Sequence, residues 1–224
     1  CEAYDCRLRD LPLDGPGCRK CRSASNISNP VVWLRFNVYQ LLDHGAAQGV
    51  GLGKFPTSLG TGAGFGEGPD GNFWIGLDRL FSLTNPTPRK LLILMRVWNN
   101  SQSWAHYKSF SVASETDLYK LSVSGFSGSA GIGDSIAAPW DGLTKVITNG
   151  FPFTTIDKDN DNAEGNCALA FKGAWWFNSC FGAHLNGQYH NYPEALSTAY
   201  AMGIHWMMPF EAYYSLKEAE MLVY

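Results

Sequence analysis

A chain of 224 residues with 45% hydrophobic content is long enough to bury a substantial core, as one large domain or two small ones. A net charge of −3 supplies no basic field for a phosphate backbone, which argues against nucleic acid as a partner. The longest apolar run, Leu91 to Met95, falls far short of the roughly 18 residues that span a bilayer, so no membrane span is expected.

Residues 1 to 30 hold Cys1, Cys6, Cys18 and Cys21 among prolines, glycines and charges. So little apolar periodicity cannot build a core, and disulfide staples are the expected reason for these cysteines, with three pairings open. Zinc on four thiolates is the rival reading, although the gap from Cys1 to Cys6 is too wide for a paired knuckle. Six cysteines in all, an even number, point to an oxidising compartment and hence to a secreted, extracellular protein. The N-x-S sequons at Asn26 and Asn99 agree, as candidate glycosylation sites. Residues 1–30 are expected to form a cysteine-rich segment and residues 31–224 the globular domain.

Val31 to Gln40 is rich in β-branched and aromatic residues and reads as a strand. The glycine-dense passage from Gly45 to Gly71 never completes GxGxxG, because the third glycine position falls on Phe65, Glu67 or Pro69; it reads as a loop. Asn72 to Leu83 has apolar residues near helical spacing and is expected to cap a sheet. Lys90 to Trp98 suits a strand buried on both faces, and Asp117 to Ser124 alternates with Tyr119, Leu121 and Val123 on one side. Strands separated by turns, with few long helical patterns, predict an α+β fold: a central antiparallel sheet with flanking helices. From about Gly142 the chain turns irregular, and such regions usually carry function.

Inside that region Asp157, Asp159 and Asp161 alternate. Spacing of this kind lets a tight loop turn several hard carboxylate oxygens onto one cation, and calcium, which takes six to eight oxygen ligands in flexible geometry, is the natural guest. The loop is no EF-hand, since the sixth position is Asn162 instead of Gly and the twelfth is Ala168 instead of Glu. A solvated acidic turn without metal is the other reading of the aspartates.

Several stretches together resemble one family, the fibrinogen-like domains of ficolins, tachylectins, angiopoietins and fibrinogen chains. They are NFWIGLD (72–78), FSVASETDLYKLSVSGFSGSAGIGDS (110–135), DKDNDNAEGNCA (157–168), GAWWFNSC (173–180), HLNGQY (184–189), GIHW (203–206) and YSLKEAEM (214–221), in the family's order and spacing across roughly 65–224. The N-terminal part departs from the pattern, with four cysteines in the first 21 positions and no glycine run leading to Trp-Thr. The resemblance implies a fibrinogen C-terminal-like fold with an irregular calcium-binding subdomain at about 142–224. It implies calcium on the carboxylates of Asp159 and Asp161 and the carbonyls of Ala163 and Gly165, with Asp157 as a turn residue. It also implies a Cys167–Cys180 disulfide, whose short loop is worth about 3 kcal/mol of chain entropy, and a cis peptide between Ser179 and Cys180.

In the acetyl-binding members a small cup lies at the positions held here by Phe171, Phe181, Tyr200 and Ala201, with the backbone N–H groups of Cys180 and Phe181 facing an acetyl oxygen. The family's His is replaced by Phe181, and a further aromatic wall by Ala212. Fibrinogen's peptide holes carry acidic residues where Phe171 and Ala201 stand, so a cationic peptide terminus is disfavoured. One buried methyl and one or two hydrogen bonds give a millimolar site, and useful binding then needs several domains on one molecule, which predicts a homo-oligomer or a larger multimer. The five histidines show neither HExxH spacing nor a GxSxG serine partner, and bridged cysteines are poor nucleophiles, so no enzyme is expected. The resulting expectation is a secreted, calcium-dependent, lectin-like domain of innate immunity, binding carbohydrate on acetylated or other glycan-bearing surfaces. The alternative is a module for an extracellular protein, as a receptor ligand or adhesive assembly part.

Overall fold

The structure, a computed structural model, describes residues 32–36, 65–66 and 73–224, all within one compact unit, Val32–Tyr224. Cys1, Cys6, Cys18, Cys21, the Asn26 sequon and most of the glycine-dense passage lie outside the described residues.

Five strands make the main sheet: β1 (Val32–Phe36), β4 (Arg89–Arg96), β5 (Gln102–Val112), β6 (Leu121–Gly128) and β9 (Glu218–Val223), in the order β1-β9-β4-β5-β6 with every neighbour antiparallel. Two small hairpin ladders flank it, β2 (Phe65–Gly66) with β3 (Phe73–Trp74), and β7 (Ala183–His184) with β8 (His205–Trp206). The sheet buries one face through Leu91, Ile93 and Met95 of β4, Ala105 and Tyr107 of β5, and Ala219, Met221 and Val223 of β9, paired in register. Strict alternation along β5 would put Tyr107 and Phe110 on opposite faces. A bulge between Arg89 and Leu91 in the β4–β5 ladder resets the phase, and both rings are fully buried.

The strand read at Lys90–Trp98 is found at Arg89–Arg96, and at Leu91, Leu92 and Ile93 it is buried on both faces. The passage read as helical from Asn72 divides instead. Phe73–Trp74 is strand, Gly76 turns the chain at φ 96°, and α1 (Leu77–Thr84) follows. Leu77, Leu80 and Thr84 face inward, and Thr84 Oγ1 both donates to Leu80 O and accepts the Val112 amide, tying α1 to β5. The alternation over Asp117–Ser124 is also corrected: the strand starts at Leu121, and Tyr119 sits before it in a turn at φ 53°. Its phenol donates to Asp78 Oδ1 at 2.6 Å, which pins the turn to α1.

After β6 the chain runs through turns and very short elements, as the sequence suggests from Gly142. That irregular part ends before Glu218, because β9 returns to the sheet between β1 and β4. An aromatic seam joins it to the sheet's buried face. Phe153 stacks edge-on to Trp176 at 5.0 Å, Trp176 meets Trp175 at 5.0 Å, and the Trp176 indole N–H donates to Tyr119 O at 2.7 Å.

Candidate functional site

The site is built on the stretch from Thr154 to Gly187, where side chains of the loop satisfy the backbone that no ladder satisfies. Asn160 Nδ2 donates to Phe153 O at 2.8 Å, Asn162 N to Asn178 O at 2.9 Å, and Asn166 Nδ2 to Thr155 O at 2.9 Å. Asn166 also caps the short helix α2 (Cys167–Ala170), its Oδ1 accepting the Leu169 amide.

The three aspartates take different positions. Asp157 accepts the Thr155 hydroxyl at 2.6 Å and closes a local turn. Asp161 accepts Ala163 N on Oδ1 and Cys167 N on Oδ2, each at 2.9 Å, so one carboxylate ties the loop to the first bridged cysteine. Asp159 lies against it, accepting Asp161 N at 3.2 Å. Burial pushes the Asp161 carboxyl above its ordinary range, the Cys167 and Ala163 amides draw it back, and the neighbouring Asp159 raises it again. Two adjacent carboxylates that repel one another stand on the loop that also carries Ala163 and Gly165, whose carbonyls the resemblance adds to an all-oxygen donor set. Among the described residues no N–H donates to either carbonyl. Such a set fits a hard divalent cation; among the described residues no three His, Cys, Asp or Glu side chains converge on a metal position.

Cys167 and Cys180 are bridged, with their Cα atoms 5.8 Å apart. The peptide between Ser179 and Cys180 is cis. Three amides around it are paired: Asn178 N donates to Cys180 O, Ser179 N to Lys145 O and Gly182 N to Val146 O, at 2.8 to 3.0 Å. The N–H groups of Cys180 and Phe181 have no acceptor among the described residues. Buried or half-buried amides are seldom left in this state, which makes both candidate donors for an oxygen.

Of the five residues read as ligand-binding, the structure brings Phe171, Cys180 and Phe181 together. The Phe171 and Phe181 rings meet edge-on at 5.0 Å. Phe181 is buried and also packs on Phe177, His184 and His205, so it floors the site from beneath more than it walls it. Ala201 is buried, while Tyr200 is 54% exposed and meets the ring of Tyr213, a residue that the sequence reading did not include. The signal for Tyr213 lies only in the fold.

Beneath Phe181, His184 of β7 stands opposite His205 of β8. Both are fully buried, and neither ring nitrogen of His184 has a partner among the described residues. Burial holds His184 well below the ordinary imidazole range, with His205 adding to the effect. Burial also lowers His205 to about 4, against an upward pull from the Glu211 main chain and with a further push down from His190. The ladder that carries them requires glycine: a Cβ on Gly187 would run into the carbonyl oxygen of Gly203. The HLNG and GIHW stretches therefore make one unit.

A chain with this antiparallel sheet and irregular segment has counterparts among known proteins. A family profile described as fibrinogen beta and gamma chains, C-terminal globular domain, matches residues 60–224. The chain belongs to this family. It is 38% identical to human angiopoietin-related protein 6 over 161 residues, 72% of this chain and 32% of that protein. It is 38% identical to ryncolin-4 of Cerberus rynchops over 71% of this chain and 42% of that protein. Among solved structures, the fibrinogen-like globe domain of human ANGPTL6 superposes with a TM-score of 0.65 at 36% identity, covering 79% of this chain and 74% of that one. A lamprey fibrin D-dimer complexed with a Gly-His-Arg-Pro-amide peptide gives 0.65 at 30% identity, covering 71% and 53%. The chain spans about a third of the length of the angiopoietin-related proteins that it matches. Among the described residues no helix is long and apolar enough to cross a membrane.

Proposed function

We propose that this chain is an extracellular, calcium-dependent recognition module that binds the acetyl group of glycan-borne ligands. The observation that carries the reading is the pair of unengaged amides at Cys180 and Phe181, on the segment whose Phe181 ring meets the Phe171 ring. Two N–H donors suit a carbonyl oxygen and an aromatic edge suits a methyl, which together describe an acetyl group. Asp159 and Asp161, with the carbonyls of Ala163 and Gly165, would hold the calcium. The ion would supply the positive charge that two repelling carboxylates lack, and Asp161, bonded to the Cys167 amide, links that loop to the bridge bearing the donors. The same setting supports a glycan on Asn99, which stands exposed at the turn between β4 and β5 with its Oδ1 accepting the Ser101 amide. Asn99→Gln should remove one glycan mass from the secreted protein.

The test is capture on N-acetylated beads in calcium and in chelator. Capture that needs calcium, and that fails on beads lacking the acetyl group, supports the reading; no capture at any bead density refutes it. A second reading, a module for an extracellular protein partner, is favoured by the burial of Phe181 and by the exposed side chains of Tyr200 and Tyr213, whose rings meet at 5.6 Å. In either case a site this small needs several copies on one molecule to hold a surface.

A further inference from the structure

We infer that Asn162 is a positioning residue, whose pairing with Asn178 sets the segment carrying the Cys180 and Phe181 amides according to how the aspartate loop is held; this rests on the calcium reading above. Asn162 follows Asp161 directly, and the two residues reach opposite sides of the disulfide. Asp161 accepts the Cys167 amide at 2.9 Å, on the first cysteine. Asn162 holds the approach to the second: its backbone N–H donates to Asn178 O at 2.9 Å and its Nδ2 to Asn178 Oδ1 at 3.2 Å. Asn178 N in turn donates to Cys180 O at 2.8 Å, across the cis peptide. Asn178 therefore stands alone between the loop and the first free amide, with both its oxygens held by Asn162 and its backbone N–H held by Cys180.

The two members of the pair differ in burial: Asn178 is 8% exposed, whereas Asn162 is an exposed loop residue. A buried side-chain amide needs partners, which accounts for Asn178 as part of the fold. The loop itself is fastened to the core without Asn162, because the neighbouring Asn160 donates to Phe153 O of the aromatic seam at 2.8 Å. What the Asn162 pair adds is direction. A shift of residues 161–162 as Asp159 and Asp161 close on a cation passes to Asn178 and from there to Cys180, without going round the disulfide. Two bonds at two points of one residue resist its rotation as well as its translation, so the orientation of the 178–180 turn follows the loop.

The experiment follows backbone amide signals of the isotope-labelled chain as calcium alone is added to saturation, for the wild type, Asn162→Ala and Asn160→Ala, with calcium binding of each measured by calorimetric titration. The Cys180 and Phe181 signals of the wild type should move. Asn162→Ala should still bind calcium, yet move the two signals at least about twofold less, because a side-chain hydrogen bond that carries the coupling is gone. Asn160→Ala should keep the wild-type movement. A merely structural role for Asn162 would lower the melting point and leave the movement intact. Equal movement in wild type and Asn162→Ala, equal loss in both variants, or no movement in a wild type that binds calcium overturns the role given to Asn162 while the calcium reading stands. A wild type that binds no calcium overturns the calcium reading, and the role of Asn162 falls with it.

Discussion

Asp159 and Asp161 are both acidic and adjacent, yet they contribute differently. Asp161 bonds two backbone amides and so shapes the loop, whereas Asp159 accepts one amide and otherwise adds charge. Asp159→Asn keeps an oxygen for the Asp161 amide and removes the charge. Calcium at about a hundred times its Kd should stabilise the wild type by about 2.7 kcal/mol, which for a domain of this size raises Tm by roughly 5–10 °C. Scanning calorimetry should show that rise lost in Asp159→Asn, with the melting point in chelator unchanged. His205 makes a separate prediction. Its folded-state pKa of about 4 lies below the ordinary 6.5, so the unfolded chain binds the proton first. The stability from a neutral His205 is therefore complete above about pH 6.5 and is lost as pH falls towards 4. The full effect is about 3 kcal/mol. Denaturant titrations of the wild type between pH 7 and pH 4 should show a slope to which both buried imidazoles contribute, and His205→Asn should make it shallower while His184 maintains the rest.

At the scale of elements, the Cys167–Cys180 bridge closes a short loop that carries α2 and begins where the aspartate loop ends. Cys167→Ser with Cys180→Ser should cost about 3 kcal/mol and weaken calcium binding as well, measured by calorimetric titration, because the Asp161–Cys167 bond loses its anchor. In the sheet, Met221 of β9 is 1% exposed and pairs with both β1 and β4. Met221→Ala should cost about 2–5 kcal/mol by denaturant unfolding. β9 was not legible in the sequence. EAEMLV is made mostly of good helix formers, and only pairing on both edges, with an Arg96–Glu218 ion pair at 2.9 Å, makes it a strand. β5 escaped for another reason, since the bulge near Arg89 breaks the alternation of Tyr107 and Phe110. The aspartate loop and β4 were legible because their chemistry is local, carboxylate spacing and an unbroken apolar run, whereas the Cys167–Cys180 pairing was legible only through the family resemblance. The contact between Tyr200 and Tyr213 was not legible, because they lie on separate segments that the Ala201–Ala212 and Thr198–Tyr213 backbone bonds bring together.

For the whole molecule, an aromatic seam from Phe153 through Trp176 and Trp175 fastens an irregular region to a regular sheet. The irregular region carries the aspartate loop and the free amides, and the sheet supplies the rigidity that loops lack. The central claim is that the amides of Cys180 and Phe181 receive an acetyl oxygen when the aspartate loop holds calcium. The most direct test is a nuclear magnetic resonance titration of the isotope-labelled chain with N-acetylglucosamine, following backbone amide signals in calcium and in chelator. The account predicts that the Cys180 and Phe181 signals move with ligand in calcium and stay fixed in chelator. Ligand-induced shifts elsewhere with these two signals unmoved, or the same movement in chelator, would contradict it.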